Sequence, residues 1–113
     1  MSDVAAEAPE DLRSTGPAIM HWLWRDPSAD PLLASCLATV RDDDCVVLQA
    51  EAALASVAAE QWLPGRRGRW LVLRPDLHSL GLQEEDVASD IECISMDELV
   101  SLSVRYATQQ SWA

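Results

Sequence analysis

Lysine is absent from this chain. Its eight arginines stand against 19 acids, which leaves 113 residues with a net charge of −11. Such a surface repels phosphate backbones and anionic headgroups, so binding of nucleic acid or membrane by the chain alone is not expected. Cysteine and histidine are scarce too. Cys36, Cys45 and Cys93 are odd in number and widely spaced, and His21 and His78 stand far apart. No CxxC or Cys/His spacing suits zinc, and three scattered thiols do not make a disulfide framework. No metal or cofactor is therefore expected. No apolar run approaches the roughly 20 residues that span a bilayer. The N-terminus carries Asp3, Glu7, Glu10 and Asp11 but no basic or apolar leader segment, so a soluble cytoplasmic protein is the expectation.

What is present is nearly half apolar, 49% of the residues, which suits one domain with a modest core. Residues 1–18 mix Ala, Pro, Glu, Asp, Ser, Thr and Gly without periodicity and read as a flexible acidic extension; residues 19–113 read as the folded domain. Ala18 to Trp24 is a compact apolar run, of the kind covered on both faces in a parallel sheet. Asp30-Pro31 then predicts a helix start, with Leu32, Leu33, Cys36, Leu37 and Val40 at helical spacing. A polar turn, Arg41 to Asp44, precedes a second buried-type strand, Cys45 to Gln49. The alanine-rich Glu51 to Glu60 predicts the next helix. Trp70 to Leu73 is a third strand, Pro75 to Leu80 a short helix closed by Gly81, and Ile91 to Ile94 a fourth strand before a helical pattern from Asp97 to Tyr106. The alternation β-α-β-α-β-α-β-α implies a small α/β sandwich, a mainly parallel sheet with helices on both faces. Trp112 beside the last residue implies an end tied down in the chain's own core or against another subunit, because an exposed indole forgoes roughly 3 kcal/mol.

In order and spacing these segments resemble the DsrH/TusB family of the DsrE/DsrF/DsrH-like sulfur-relay proteins. Met20-His21-Trp22 sits where that family's opening strand begins, and Ser35-Cys36-Leu37 matches its first helix. Leu73, Asp76, Leu77, Gly81 and Leu82 match a later segment; Val100, Leu102, Gln110, Ser111 and Trp112 match the ending. Two departures lie at strand ends, Ala50-Glu51 for the usual Asp-Gly and Ser95-Met96 for the usual Asp-Tyr. The resemblance implies a flavodoxin/Rossmann-like sandwich in a sulfurtransferase complex with DsrE/TusD-like and DsrF/TusC-like subunits and a sulfur-carrier protein. The complex passes persulfide sulfur toward tRNA 2-thiouridine or dissimilatory sulfur oxidation, and the chain is not expected to be catalytic alone. The alternative is an assembly module of the same fold without sulfur chemistry.

Cys36 is the candidate persulfide carrier on that resemblance. The residues themselves set an ordinary buried thiol against it, because Cys36 shares the apolar stripe and has no Arg or His beside it. Cys45 and Cys93 read as core. Arg66, Arg67 and Arg69 crowd one glycine-flanked loop, fit to meet an acidic partner, to touch tRNA within a larger complex, or to sit in solvent. His21 reads as a core or edge histidine rather than a base. Trp22 and Trp24 would share one strand face by period two, and with Ser111 and Trp112 they are the candidate interface residues. A stand-alone nucleotide-binding enzyme finds no support, since Arg25-Asp26-Pro27-Ser28 after the first strand is no glycine-rich phosphate fingerprint.

Overall fold

The computed structural model describes residues 16–112; most of the expected 1–18 extension, and Ala113, lie outside the described residues. Strands β1 (Ile19–Leu23), β2 (Cys45–Leu48), β3 (Arg69–Leu73), β4 (Ile91–Ile94) and β5 (Thr108–Trp112) form one sheet in the order β4-β3-β2-β1-β5. Every pairing is parallel. The helices are α1 (Leu33–Thr39), α2 (Ala59–Trp62), α3 (Arg74–Ser79) and α4 (Met96–Ser103). The α/β sandwich with helices on both faces is thus what the chain forms. The central strands explain their own composition: β2 is buried at all four positions because it is covered on both sides.

The two faces are covered unequally. His21, Leu23, Val46, Leu48, Trp70 and Val72 point to one side, where α1, α2, α3 and an alanine-rich 3-10 segment pack on them. Met20, Cys45, Val47, Leu71, Leu73 and Ile94 point to the other, which α4 covers with Leu99 and Leu102, and the turn after it with Tyr106. The chain must cross that whole face, because β4 and β5 lie at opposite edges.

Several boundaries differ from the sequence reading. The expected helix over 51–60 is a 3-10 helix, Ala50–Val57, followed by the short α2. Ala52, Ala53, Ala55 and Ser56 are all buried, so this segment has no single apolar stripe, and the tighter, longer 3-10 winding suits small side chains pressed against the sheet. The first helix starts at Leu33 rather than at Pro31, because the Asp30 carboxylate takes the Leu32 amide in a turn that precedes it. The last helix begins at Met96 and stops at Ser103, fixed at its start by a reciprocal capping box between Ser95 and Glu98. Beyond it, a fifth strand occupies residues read only as an anchored end. Its Thr-Gln-Gln-Ser stretch is exposed, so nothing in its hydropathy marks a strand.

Glycine matters most at Gly68, in the left-handed region (φ +85°) just before β3, where an added Cβ would lie 2.7 Å from the Asp44 carbonyl and 2.8 Å from that of Arg41. Gly65 is also left-handed (φ +66°) but has open space around it. Gly68→Ala should therefore lower unfolding stability by about 3 kcal/mol, against about 1 kcal/mol for Gly65→Ala, as read from urea midpoints. Equal losses would mean that the close approach at Gly68 carries no cost.

Candidate functional site

A run of three aspartates precedes β2, and only the last of them, Asp44, is buried. Its Oδ1 accepts the Ile19 amide at 2.9 Å and Arg41 Nη2 at 3.1 Å. Its Oδ2 accepts the Arg41 amide at 3.0 Å and lies 3.0 Å from His21 Nε2. His21 is fully buried, and its other ring nitrogen, Nδ1, accepts the Trp112 indole N–H at 3.0 Å. An indole can only donate, so Nδ1 is unprotonated and Nε2 carries the proton that points at Asp44. The indole also stacks on the imidazole, with centroids 6.1 Å apart and planes 25° from parallel. Burial raises the Asp44 carboxyl, but hydrogen bonds from His21, Ile19 and Arg41 outweigh that and bring it down to about 2. Among the described residues no buried side-chain nitrogen or oxygen lacks a partner.

The end of the chain is thus tied into its own core: Trp112 is half-buried, and its strand pairs with β1 in register His21↔Gln110 and Leu23↔Trp112. Sequence reasoning read His21 as a core or edge histidine but missed Asp44, which it took for turn. The available signal was alternation, since Asp44 lies two residues before Val46 and so falls on the His21 side of the sheet.

The other candidates do not gather around this cluster. Cys36 lies fully buried in α1; burial first, and then the Asp30 charge, push its thiol up to about 12. Burial is also the leading cause that raises the thiols of Cys45 and Cys93. The three arginines of the glycine-flanked loop each hold a carboxylate of their own. Arg66 grips Asp90 through two bonds (2.9 and 2.6 Å), Arg67 meets Asp42 at 3.0 Å, and Arg69 grips Glu92 at 2.6 and 2.9 Å. Trp22 is half-buried on the α4 side and donates to Gln109 Oε1 at 2.7 Å, bracing β5 from the opposite face to Trp112. Trp24 lies past the end of β1, where its carbonyl receives the Ala52 amide. Ser111 is exposed on β5.

The segment from Leu73 to Leu82 has a clear local logic. Leu73 ends β3, Leu77 is fully buried, and Gly81 (φ +73°) closes α3 with Leu82 N–H bonded to the Leu77 carbonyl. Asp76 Oδ2 accepts the amide of Ala50 at 2.6 Å and so holds that residue in the left-handed region (φ 51°). This strained residue sits at the C-terminal end of β2, the end of the sheet where open α/β folds place their sites. Among the described residues no group of three or more His, Cys, Asp or Glu could hold a metal, and no helix is long and apolar enough to cross a membrane.

Asp44 makes the fold acid-sensitive in a defined direction. Its folded carboxyl titrates near 2 and an ordinary one near 3.8, so its contribution, about 2 kcal/mol, is complete above pH 4 and is lost as pH falls toward 2. Asp44→Asn should remove that part of the acid dependence and, at pH 7, cost about 3 kcal/mol in urea unfolding, because it takes away the buried anion that the Ile19 and Arg41 amides and the His21 ring bind. An unchanged slope between pH 4 and 2 would show that other carboxylates govern it. Trp112→Phe should cost about 1 kcal/mol or more and speed amide exchange throughout β5.

Residues 25–109 match the family model described as DsrH like protein. No curated protein matches the sequence. The matched span starts just after β1 and ends within β5, and so takes in β2, β3 and β4, all four helices and the Asp44 turn. This chain belongs to the DsrH-like family, which links it to sulfur relay.

Proposed function

We propose that this chain is a subunit of a cytoplasmic sulfur-relay complex, working beside DsrE/TusD-like and DsrF/TusC-like subunits and a sulfur-carrier protein. The complex moves persulfide sulfur toward tRNA 2-thiouridine formation or dissimilatory sulfur oxidation. Membership of the DsrH-like family over residues 25–109 is the observation that carries this reading.

In such a relay an acceptor thiolate attacks the outer sulfur of a donor persulfide. The S–S bond breaks, the donor leaves as a thiolate, and the acceptor becomes the new persulfide. The acceptor must therefore be ionisable and reachable. Cys36 is neither in this conformation, being fully buried with its thiol pushed up to about 12. That favours a division of labour in which this chain holds the complex together and the persulfide travels on partner thiols. It also keeps in view the assembly module without sulfur chemistry of its own. The paired loop arginines and the net charge of −11 suit a protein-contacting subunit better than one that holds tRNA.

Cys36→Ser in the assembled complex is the deciding variant. Sulfur flux from persulfide donor to acceptor should stay within about twofold of wild type, and intact-mass analysis should find no +32 Da adduct on this chain, a value that is the mass of one sulfur atom. A flux loss of about tenfold or more with the complex intact would instead make Cys36 the carrier. A chain that assembles with neither type of subunit would sink the relay reading.

A further inference from the structure

Three large hydrophobic side chains stand exposed among the described residues: Met96 at 53%, Val100 at 57% and Val104 at 80%. All three belong to α4 or its C-cap, at intervals of four residues, which places them along one flank of the helix. The fold does not need them. It is Leu99 and Leu102, on a different side of α4, and Tyr106 just beyond it, that pack on the sheet. Isolated exposed hydrophobics are ordinary, but a set confined to one helix flank marks a surface made to be covered.

We infer that this α4 flank is the docking surface for a partner subunit of the relay complex, and that the partner meets it with an apolar patch rimmed by lysine or arginine. The inference rests on the relay reading above and adds to it the surface and the chemistry of its occupant. Charge decides against a second copy of the same chain. Asp97 lies in the first turn beside the stripe, and two bodies of net charge −11 would bring acid against acid. A basic rim would be drawn to the same turn and would speed encounter as well as fix orientation. The stripe alone is smaller than the roughly 800 Å² a stable interface buries on each side, so it forms the apolar centre of a larger contact.

The test is co-expression with DsrE/TusD-like and DsrF/TusC-like subunits, followed by hydrogen exchange across residues 96–104 and affinity measurement for variants. Assembly should slow exchange in that segment. Val100→Asp with Val104→Asp should weaken assembly by about 100-fold, in line with losses at the centre of protein interfaces, while leaving the circular dichroism of the free chain unchanged. Asp97→Lys, which changes only the rim charge, should weaken it several-fold and flatten its salt dependence. If the double variant does not fold, Met96→Lys at the exposed start of the helix makes the same test. A complex that forms equally well with all these variants overturns the surface but leaves the relay reading standing. Failure of the wild-type chain to assemble with either subunit overturns both. A wild-type homodimer that the double variant abolishes overturns the occupant, making it a second copy.

Discussion

The Asp44 carboxylate is the point on which the architecture depends. One buried anion collects donors from the first residue of β1, from the loop before β2 and from the His21 ring, so three separate stretches of backbone and side chain are fixed by a single group. Its influence reaches further through the imidazole. Because Nε2 is committed to Asp44, Nδ1 is left as an acceptor, and only then can the Trp112 indole donate to it. The edge strand β5 is therefore held by a relay of hydrogen bonds that begins in a turn on the far side of β1. A buried charge is usually a cost; here it is offset by many short contacts, and the return is in geometry, since it specifies how the last strand meets the first.

A second constraint follows from the strand order. With β4 and β5 at opposite edges, one connection has to cover an entire sheet face, and α4 supplies that cover with one turn of side chains inward and another flank left in solvent. The opposite face has several elements to share the work and, among the described residues, shows no comparable exposed stripe. This asymmetry is why the chain has one face that is structurally finished and one that is open to company.

The parts of this fold that were readable in advance are those in which burial alone decides the residue type. The inner strands, covered on both sides, could be seen as short apolar runs, and their alternation with helical segments was enough to imply parallel pairing. The elements that escaped are those held by other means. Thr108–Trp112 is a strand because its backbone bonds to β1 and two tryptophans brace it, none of which shapes its side-chain pattern. Ala50–Val57 buries Ala52, Ala53, Ala55 and Ser56 rather than one helical stripe, so helical periodicity could not distinguish 3-10 from α. At the candidate site the same rule applies. His21 was read as a core or edge histidine because its neighbours are apolar, whereas Asp44 looked like its two solvent-facing companions. The burial of Cys36 was legible from its stripe, and the internal pairing of the loop arginines was not, because their carboxylates come from turns and strands 23 to 25 residues away.

The position of β1 has a consequence for how the chain comes to be folded at all. It comes first in sequence among the described strands, yet it ends up inside the sheet with a neighbour on each side, and one of those neighbours, β5, follows all the other described strands. His21 waits for a partner that is 91 residues further along. During synthesis, then, β1 has an unpaired edge and a histidine with one vacant acceptor until β5 has been made. Closure of the sheet is a late, long-range event of the kind that folds slowly and leaves an adhesive edge open meanwhile. The four polar residues that run ahead of Trp112 fit that circumstance, since a strand that joins after its neighbours is better kept soluble until its place is ready.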